Sequence, residues 1–87
     1  MNTQSQDQAL ALARTQVKEA LARAGGVAVV AAHFGISPVS VYEWIKRGFV
    51  AAERCPLIEE FSNGAARCED LNANVNWGYL RQSQATA

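Results

Sequence analysis

Two cysteines and one histidine, Cys55, Cys68 and His33, are the side chains of this 87-residue chain best suited to metal binding or nucleophilic chemistry. A tetrahedral zinc site would need a fourth ligand and closer spacing. A disulfide fits an exported domain, but the first residues, MNTQSQDQ, lack the basic and apolar regions of an export signal. We therefore expect both cysteines to be reduced apolar fillers, and His33 to be a partly exposed surface residue rather than a base.

Other catalytic or membrane signals are missing from the sequence. It contains no glycine-rich phosphate loop and no nucleophile beside a partner base. No apolar run approaches the length that spans a bilayer. The sequence thus predicts a cytoplasmic protein that is not an enzyme, with no cofactor, no metal, no membrane contact and no small-molecule substrate.

The basic side chains are unevenly distributed. The net charge is zero, which counts against nucleic-acid binding. However, residues 1–50 carry five basic and three acidic groups, and residues 51–87 carry three and five. Arg14 and Lys18 lie one helical turn apart and repel each other, so they either form a solvated face or contact something anionic such as phosphate. Arg54, near a predicted helix start with free N–H groups, could also bind phosphate.

The stretch that must position these groups is VAVVAAHFGISPVSVYEWIKRG, residues 27–48. Apolar residues recur at three- and four-residue spacing through 27–34, which predicts a half-buried helix. Gly35 suits a left-handed helix end. Ser37 is a good N-cap and Pro38 a good first helical residue, so a second helix is expected to start almost at once.

The second helix is predicted over 38–47, and its inner face consists of Val41, Trp44 and Ile45. Ala31 is small at the point where two steeply crossed helices would approach most closely, and Ile36 would fill the gap between them. This pattern predicts a helix-turn-helix. An ordinary helical hairpin is the alternative.

The whole chain is predicted to be all-α, a bundle of about five short helices forming one helix-turn-helix domain over 1–82. The helices are expected at about 5–24, 27–34, 38–47, 52–62 and 68–73, followed by a disordered tail at 83–87. The first helix carries an apolar stripe formed by Leu10, Ala13, Val17, Leu21 and Ala24. Trp77, Tyr79 and Leu80 need burial, either on the domain or against another subunit.

Several short motifs together resemble the small Cro-like and YdaS-like regulators of phages and prophages, in the lambda-repressor-like superfamily. They are Gly25-Gly26, Gly35-Ile36-Ser37-Pro38, Tyr42-Glu43-Trp44, the segment from Ala52 to Pro56, and Arg67-Cys68-Glu69-Asp70-Leu71. The resemblance covers about residues 18–80. It departs from the family pattern at Ala51, where relatives often have proline, and at Asn72-Ala73-Asn74, where many have an Arg-Pro-Asp step.

The resemblance implies an all-helical repressor that binds double-stranded, palindromic operator DNA as a homodimer. The helix 38–47 would enter the major groove. The residues expected to face the bases are Ser37, Val39, Ser40, Tyr42 and Glu43. Those expected to contact phosphates are Lys46, Arg47 and Arg54, with Arg14 and Lys18.

Three of the base-facing residues have specific expected contacts. Ser40 can bond several bases, Val39 can touch a thymine methyl group, and Glu43 can accept from a cytosine amino group. Glu43 could equally pair with Arg47, four residues later. Because YdaS-like members are also classed as antitoxins, the alternative function is a protein-interaction module, such as an antitoxin or an anti-repressor, that retains the fold.

Overall fold

The computed structural model describes the backbone of residues 3–86 and the side chains of residues 6–82, and this part of the chain is all-helical. It contains six helices: α1 (Thr3–Arg23), α2 (Val27–Phe34), α3 (Pro38–Arg47), α4 (Cys55–Phe61), α5 (Cys68–Leu71) and α6 (Trp77–Thr86). The predicted fold class, a small all-α bundle, is confirmed.

The turn between α2 and α3 forms as the sequence predicts. Gly35 is left-handed (φ +67°), and the N–H of Ile36 donates to the carbonyl of Ala31 at 3.0 Å. Ser37 is the N-cap of α3, and its Oγ accepts from the Val39 N–H at 3.1 Å. Each helix end therefore satisfies its free backbone groups locally, and α3 can begin three residues after α2 ends.

The core lies between the second half of α1 and the inner faces of the other helices. Its largest fully buried side chains are Leu21, Ile58, Leu71, Val17, Val30, Val41 and Val50. Burial of α1 starts only at Val17. Leu10, which we expected in the apolar stripe, is 37% exposed and lies beside Gly48, where α3 ends.

The fourth and fifth helices are shorter than predicted. α4 begins at Cys55, not at residue 52, and the preceding turn is closed by the Arg54 N–H donating to the Ala51 carbonyl at 2.9 Å. Pro56 allows only a helix start here, since it has no N–H and clashes with a preceding turn. α5 ends at Leu71, not at residue 73, because Asn72 is extended (φ −153°).

The sixth helix was not predicted. Its first turn is capped by Asn76, whose Oδ1 accepts from the Tyr79 N–H at 3.1 Å. Trp77 is 7% exposed and folds back onto the domain, whereas Tyr79 is 64% exposed. The backbone of residues 83–86 continues this helix, where a disordered tail was expected over 83–87. Ala87 lies outside the described residues.

A charged network connects α6 to α4 and α5. Arg81 donates to both oxygens of Glu59, the shorter contact being 2.7 Å, and to both oxygens of Glu69. Glu59 also accepts from the Cys68 N–H at 2.8 Å. These charge-assisted bonds fix the position of α6 on the domain.

Candidate nucleic-acid interface

The outer face of α3 presents a continuous row of solvent-exposed side chains. Val39, Tyr42, Glu43 and Lys46 follow one another at the spacing of a single helical face, and all four are exposed. Val39 is 65% and Tyr42 60% exposed, high values for large apolar side chains. At 1.5 Å per residue the row is about 10 Å long. We call these four residues the α3 row.

The two serines at the start of α3 are less available than the row. The Ser37 Oγ accepts the Val39 N–H as the helix cap, so one of its lone pairs is occupied. Ser40 is half-buried beside the buried Val41. Their predicted roles in base reading stay predictions.

Arg47 does not form the alternative pair with Glu43. Its Nε donates to the Phe49 carbonyl at 3.0 Å, and its guanidinium lies 4.6 Å from the centre of the Phe49 ring. Among the ion pairs of residues 6–82, none involves Glu43. The Glu43 carboxylate is therefore open to an external partner.

Basic side chains collect where α1 meets the C-terminal end of α3. The Arg14 Nε donates to the Lys46 carbonyl at 2.6 Å, across 32 positions of sequence. This bond caps the negative end of the α3 dipole. Lys18 is exposed one turn further along α1. We call Arg14, Lys18, Lys46 and Arg47 the basic cluster; the structure brings Arg14 to Lys46 and Arg47 at one end of the α3 row, and Lys18 follows Arg14 on α1.

Arg54 has a different environment. Its guanidinium lies 4.9 Å from the centre of the Phe34 ring and 5.4 Å from the Trp44 ring. These cation–π contacts fix the side chain against the aromatic side of the helix-turn-helix. Its predicted phosphate contact stays a prediction.

His33 and the cysteines occupy positions that match their expected roles. His33 is exposed and stacks on Phe61, with ring centres 4.0 Å apart. Cys55 and Cys68 are buried, unpaired thiols. Burial, reinforced by nearby glutamates, raises the pKa of each thiol to about 12. Within the described residues, no three metal-ligating side chains lie together.

Two residues that hold the C-terminal part of the domain together were not identified from the sequence. Asn72 was interpreted only as a turn residue, yet its buried Nδ2 donates to the Val50 carbonyl at 2.8 Å. Arg81 was assigned no role. The partners lie 22 positions away in both cases, and nothing in the local sequence marks them.

No helix within the described residues is long and apolar enough to cross a membrane.

The fold and the site define a class of protein. α2 and α3 are two short helices separated by a left-handed glycine, and α3 presents the exposed α3 row beside basic groups. Together they form a helix-turn-helix domain.

The chain belongs to the family described as bacterial toxin YdaS, which matches residues 17–80. It is similar to a candidate transcriptional regulator, YdaS, of Escherichia coli K12, with 45% identity over 67 residues, covering 76% of this chain and 68% of the relative. The predicted YdaS-like resemblance is thus confirmed. The family description names a toxin, where the resemblance implied an antitoxin class. No solved structure gave a significant match.

Proposed function

We propose that this protein is a sequence-specific DNA-binding transcriptional regulator, a Cro-like repressor that binds palindromic operator DNA as a homodimer. The observation that carries the proposal is the exposed α3 row ending at the basic cluster. A helix of this kind enters the major groove, which is wide enough to admit it. The name of the E. coli relative, a candidate transcriptional regulator, supports the same function.

The proposed contacts divide into two kinds. Val39, Tyr42 and Glu43 of the row, with Ser37 and Ser40 at its start, would face the base edges and set sequence preference. The basic cluster and Arg54 would contact phosphates, which set affinity and register but carry no sequence information. Arg14 uses its Nε on α3, so its two terminal nitrogens are the groups proposed to contact phosphate.

A homodimer is proposed because one domain offers few base contacts. Two copies would read half-sites about one turn apart, on the order of 34 Å. We place the dimer contact at the groove of about 470 Å³ between α4 and α6, whose lining includes Pro56, Trp77 and Leu80. The exposed Tyr79 and Leu80 beside it would bury their apolar surface against the second copy.

The test is selection of duplex DNA by the purified protein, followed by fluorescence anisotropy titration of the selected duplex. We expect one palindromic sequence to be enriched. Affinity should fall with added salt, with a log–log slope of roughly −3 to −4 per subunit if all four cluster residues meet phosphates. Lys46→Gln should reduce this slope, and Arg67→Gln, which removes the same charge from the other half of the chain, should not.

A second candidate function is a protein-interaction module, such as a toxin, antitoxin or anti-repressor that retains the fold. The family description and the α4–α6 groove favour it. Two results would support this second function. No duplex would be enriched at low salt, and substitutions in the α4–α6 groove, rather than in α3, would abolish the effect of the protein in cells.

A further inference from the structure

Val39, Tyr42 and Glu43, the first three residues of the α3 row, are not the side chain types that read purines most strongly, and Lys46 at its end is the residue proposed above to contact phosphate. Guanine is usually bound by two-pronged contacts from arginine or lysine, and adenine by those from asparagine or glutamine. α3 contains no asparagine or glutamine, and its single arginine, Arg47, is directed to the Phe49 carbonyl and ring. The middle of the row therefore offers an aliphatic group, a phenol and a carboxylate.

Val39 occupies the position in the row closest to the N-terminus of α3, the end expected nearest the bases. Its side chain is 65% exposed, and it makes no contribution to the core. The feature of the major groove that matches such a group is the C5-methyl of thymine. Contact between them would remove both apolar surfaces from water.

Glu43 lies one turn after Val39, about 6 Å along the helix axis. Its carboxylate is exposed and forms no ion pair within residues 6–82. An ionised carboxylate only accepts hydrogen bonds, so it is repelled by the N7 and O6 acceptors of guanine and by O4 of thymine. The N4 amino group of cytosine is a donor that it can bind without an adjacent acceptor on the same base.

We propose that α3 reads pyrimidines. Val39 selects thymine by its methyl group, and Glu43 selects cytosine by its amino group. The Glu43 carboxylate also disfavours bases that present acceptors in the major groove, such as guanine and thymine. The inference rests on the proposed function. A separation of about 6 Å places the two contacts within about two base-pair steps of each other. Glu43 also repels DNA phosphates, so it lowers affinity for every sequence that does not supply the cytosine donor.

The first experiment replaces each thymine of the selected duplex, one at a time, by deoxyuridine, which removes only the methyl group. We expect roughly three- to tenfold weaker binding at one or two positions in each half-site, the size expected for one buried methyl. Val39→Ala should bind the thymine and deoxyuridine duplexes equally. Val29→Ala removes an exposed valine from α2 and should keep the discrimination.

The second experiment measures Glu43→Ala, which removes the acceptor, against the selected duplex and against duplexes with each cytosine·guanine pair changed. We expect the variant to lose its preference for one cytosine and to bind unrelated DNA more tightly at low salt. Circular dichroism and thermal unfolding establish that each variant remains folded.

The outcomes distinguish a failure of the proposed regulator function from a failure of the pyrimidine assignment. If no duplex is selected, the proposed function fails. If a duplex is selected and bound tightly, two results overturn the pyrimidine assignment but not the regulator function. One is that every deoxyuridine duplex binds as well as its parent, and the other is that Glu43→Ala keeps the full cytosine preference.

Discussion

Cys55 and Cys68 illustrate how burial controls the chemistry of single residues in this domain. Both side chains are nearly inaccessible, and the Cys55 thiol lies 3.5 Å from the Ala51 carbonyl oxygen. Burial raises the pKa of each thiol to about 12 because a thiolate would lose its hydration. The reactive thiolate is therefore scarce at neutral pH.

We predict that iodoacetamide does not label either cysteine in the folded protein at about pH 8 and labels both in concentrated urea. Mass spectrometry of the alkylated protein checks this. Labelling of the native protein as fast as of the unfolded chain would contradict the burial of these thiols.

Glu59 is the acidic centre of the network that holds α6. Hydrogen bonds from Arg81, together with the Cys68 N–H, lower the pKa of Glu59 from 4.5 to about 2 against the opposing effect of burial. Arg81 lowers the pKa of Glu69 as well. A carboxyl whose pKa is lower in the folded state stabilises the fold above its unfolded pKa of 4.5, and this stability is lost as the pH falls from there towards 2.

We predict that Glu59→Gln lowers the free energy of unfolding by about 1–2 kcal/mol at neutral pH, because the Arg81 guanidinium loses its charged acceptor. The difference from the wild-type protein should shrink below about pH 4.5 and nearly vanish near pH 2. Urea unfolding followed by tryptophan fluorescence measures it. The control, Glu60→Gln, changes an exposed neighbour and should show no such pH dependence.

At the scale of elements, the position of α3 depends on its contact with α1. Arg14 donates to the last turn of α3, and Leu10 and Ala13 pack against Gly48, where α3 ends. The middle of α1 therefore supports the C-terminal end of α3. Gly35, in the turn that precedes α3, has open space around it.

This difference predicts unequal costs for two similar substitutions. Gly35→Ala should cost about 1 kcal/mol, the penalty for a left-handed alanine. Gly48→Ala should cost more, about 2–3 kcal/mol, because it is also left-handed (φ +87°) and its Cβ would lie 3.1 Å from Leu10 and 3.3 Å from Ala13. Urea unfolding of both variants compares them. Equal losses would show that α1 does not contact the end of α3 in this way.

At the scale of the whole molecule, basic and acidic side chains are concentrated in different halves of the chain. The half of the chain up to residue 50 is net basic and includes the α3 row, whereas the half after it is net acidic and includes the α4–α6 groove. A neutral protein of this kind has weak long-range attraction to DNA. Dimerisation through the acidic half would leave both basic clusters free for the duplex.

We predict that Leu80→Glu, which places a charge in the α4–α6 groove, gives a monomer with lower affinity for the palindromic site. Leu12→Glu, which changes a 60% exposed leucine on α1, should leave the dimer intact. Sedimentation velocity gives the oligomeric state, and anisotropy gives the affinity. A dimer that survives Leu80→Glu would place the interface elsewhere.

The helix-turn-helix was predictable from the sequence because its signals are local. The left-handed Gly35, the Ser37 cap, Pro38 and the apolar spacing each act within a few residues, and α2 and α3 have the bounds that the sequence predicts. The outward row of α3 follows from the same periodicity. The α6 helix was missed because three asparagines favour turns, whereas in the structure Asn76 caps a helix and Asn72 is buried.

The sequence by itself thus determined the all-α class, the motif of residues 27–48 and the outward direction of the α3 row. Only the tertiary structure decided which distant groups meet. The Arg14–Lys46 contact spans 32 residues and the Arg81–Glu59 contact spans 22. It also turned Arg47 towards Phe49 and left Glu43 without an ion pair among residues 6–82. Local propensity cannot specify such pairs, because they form only when helices far apart in sequence pack together.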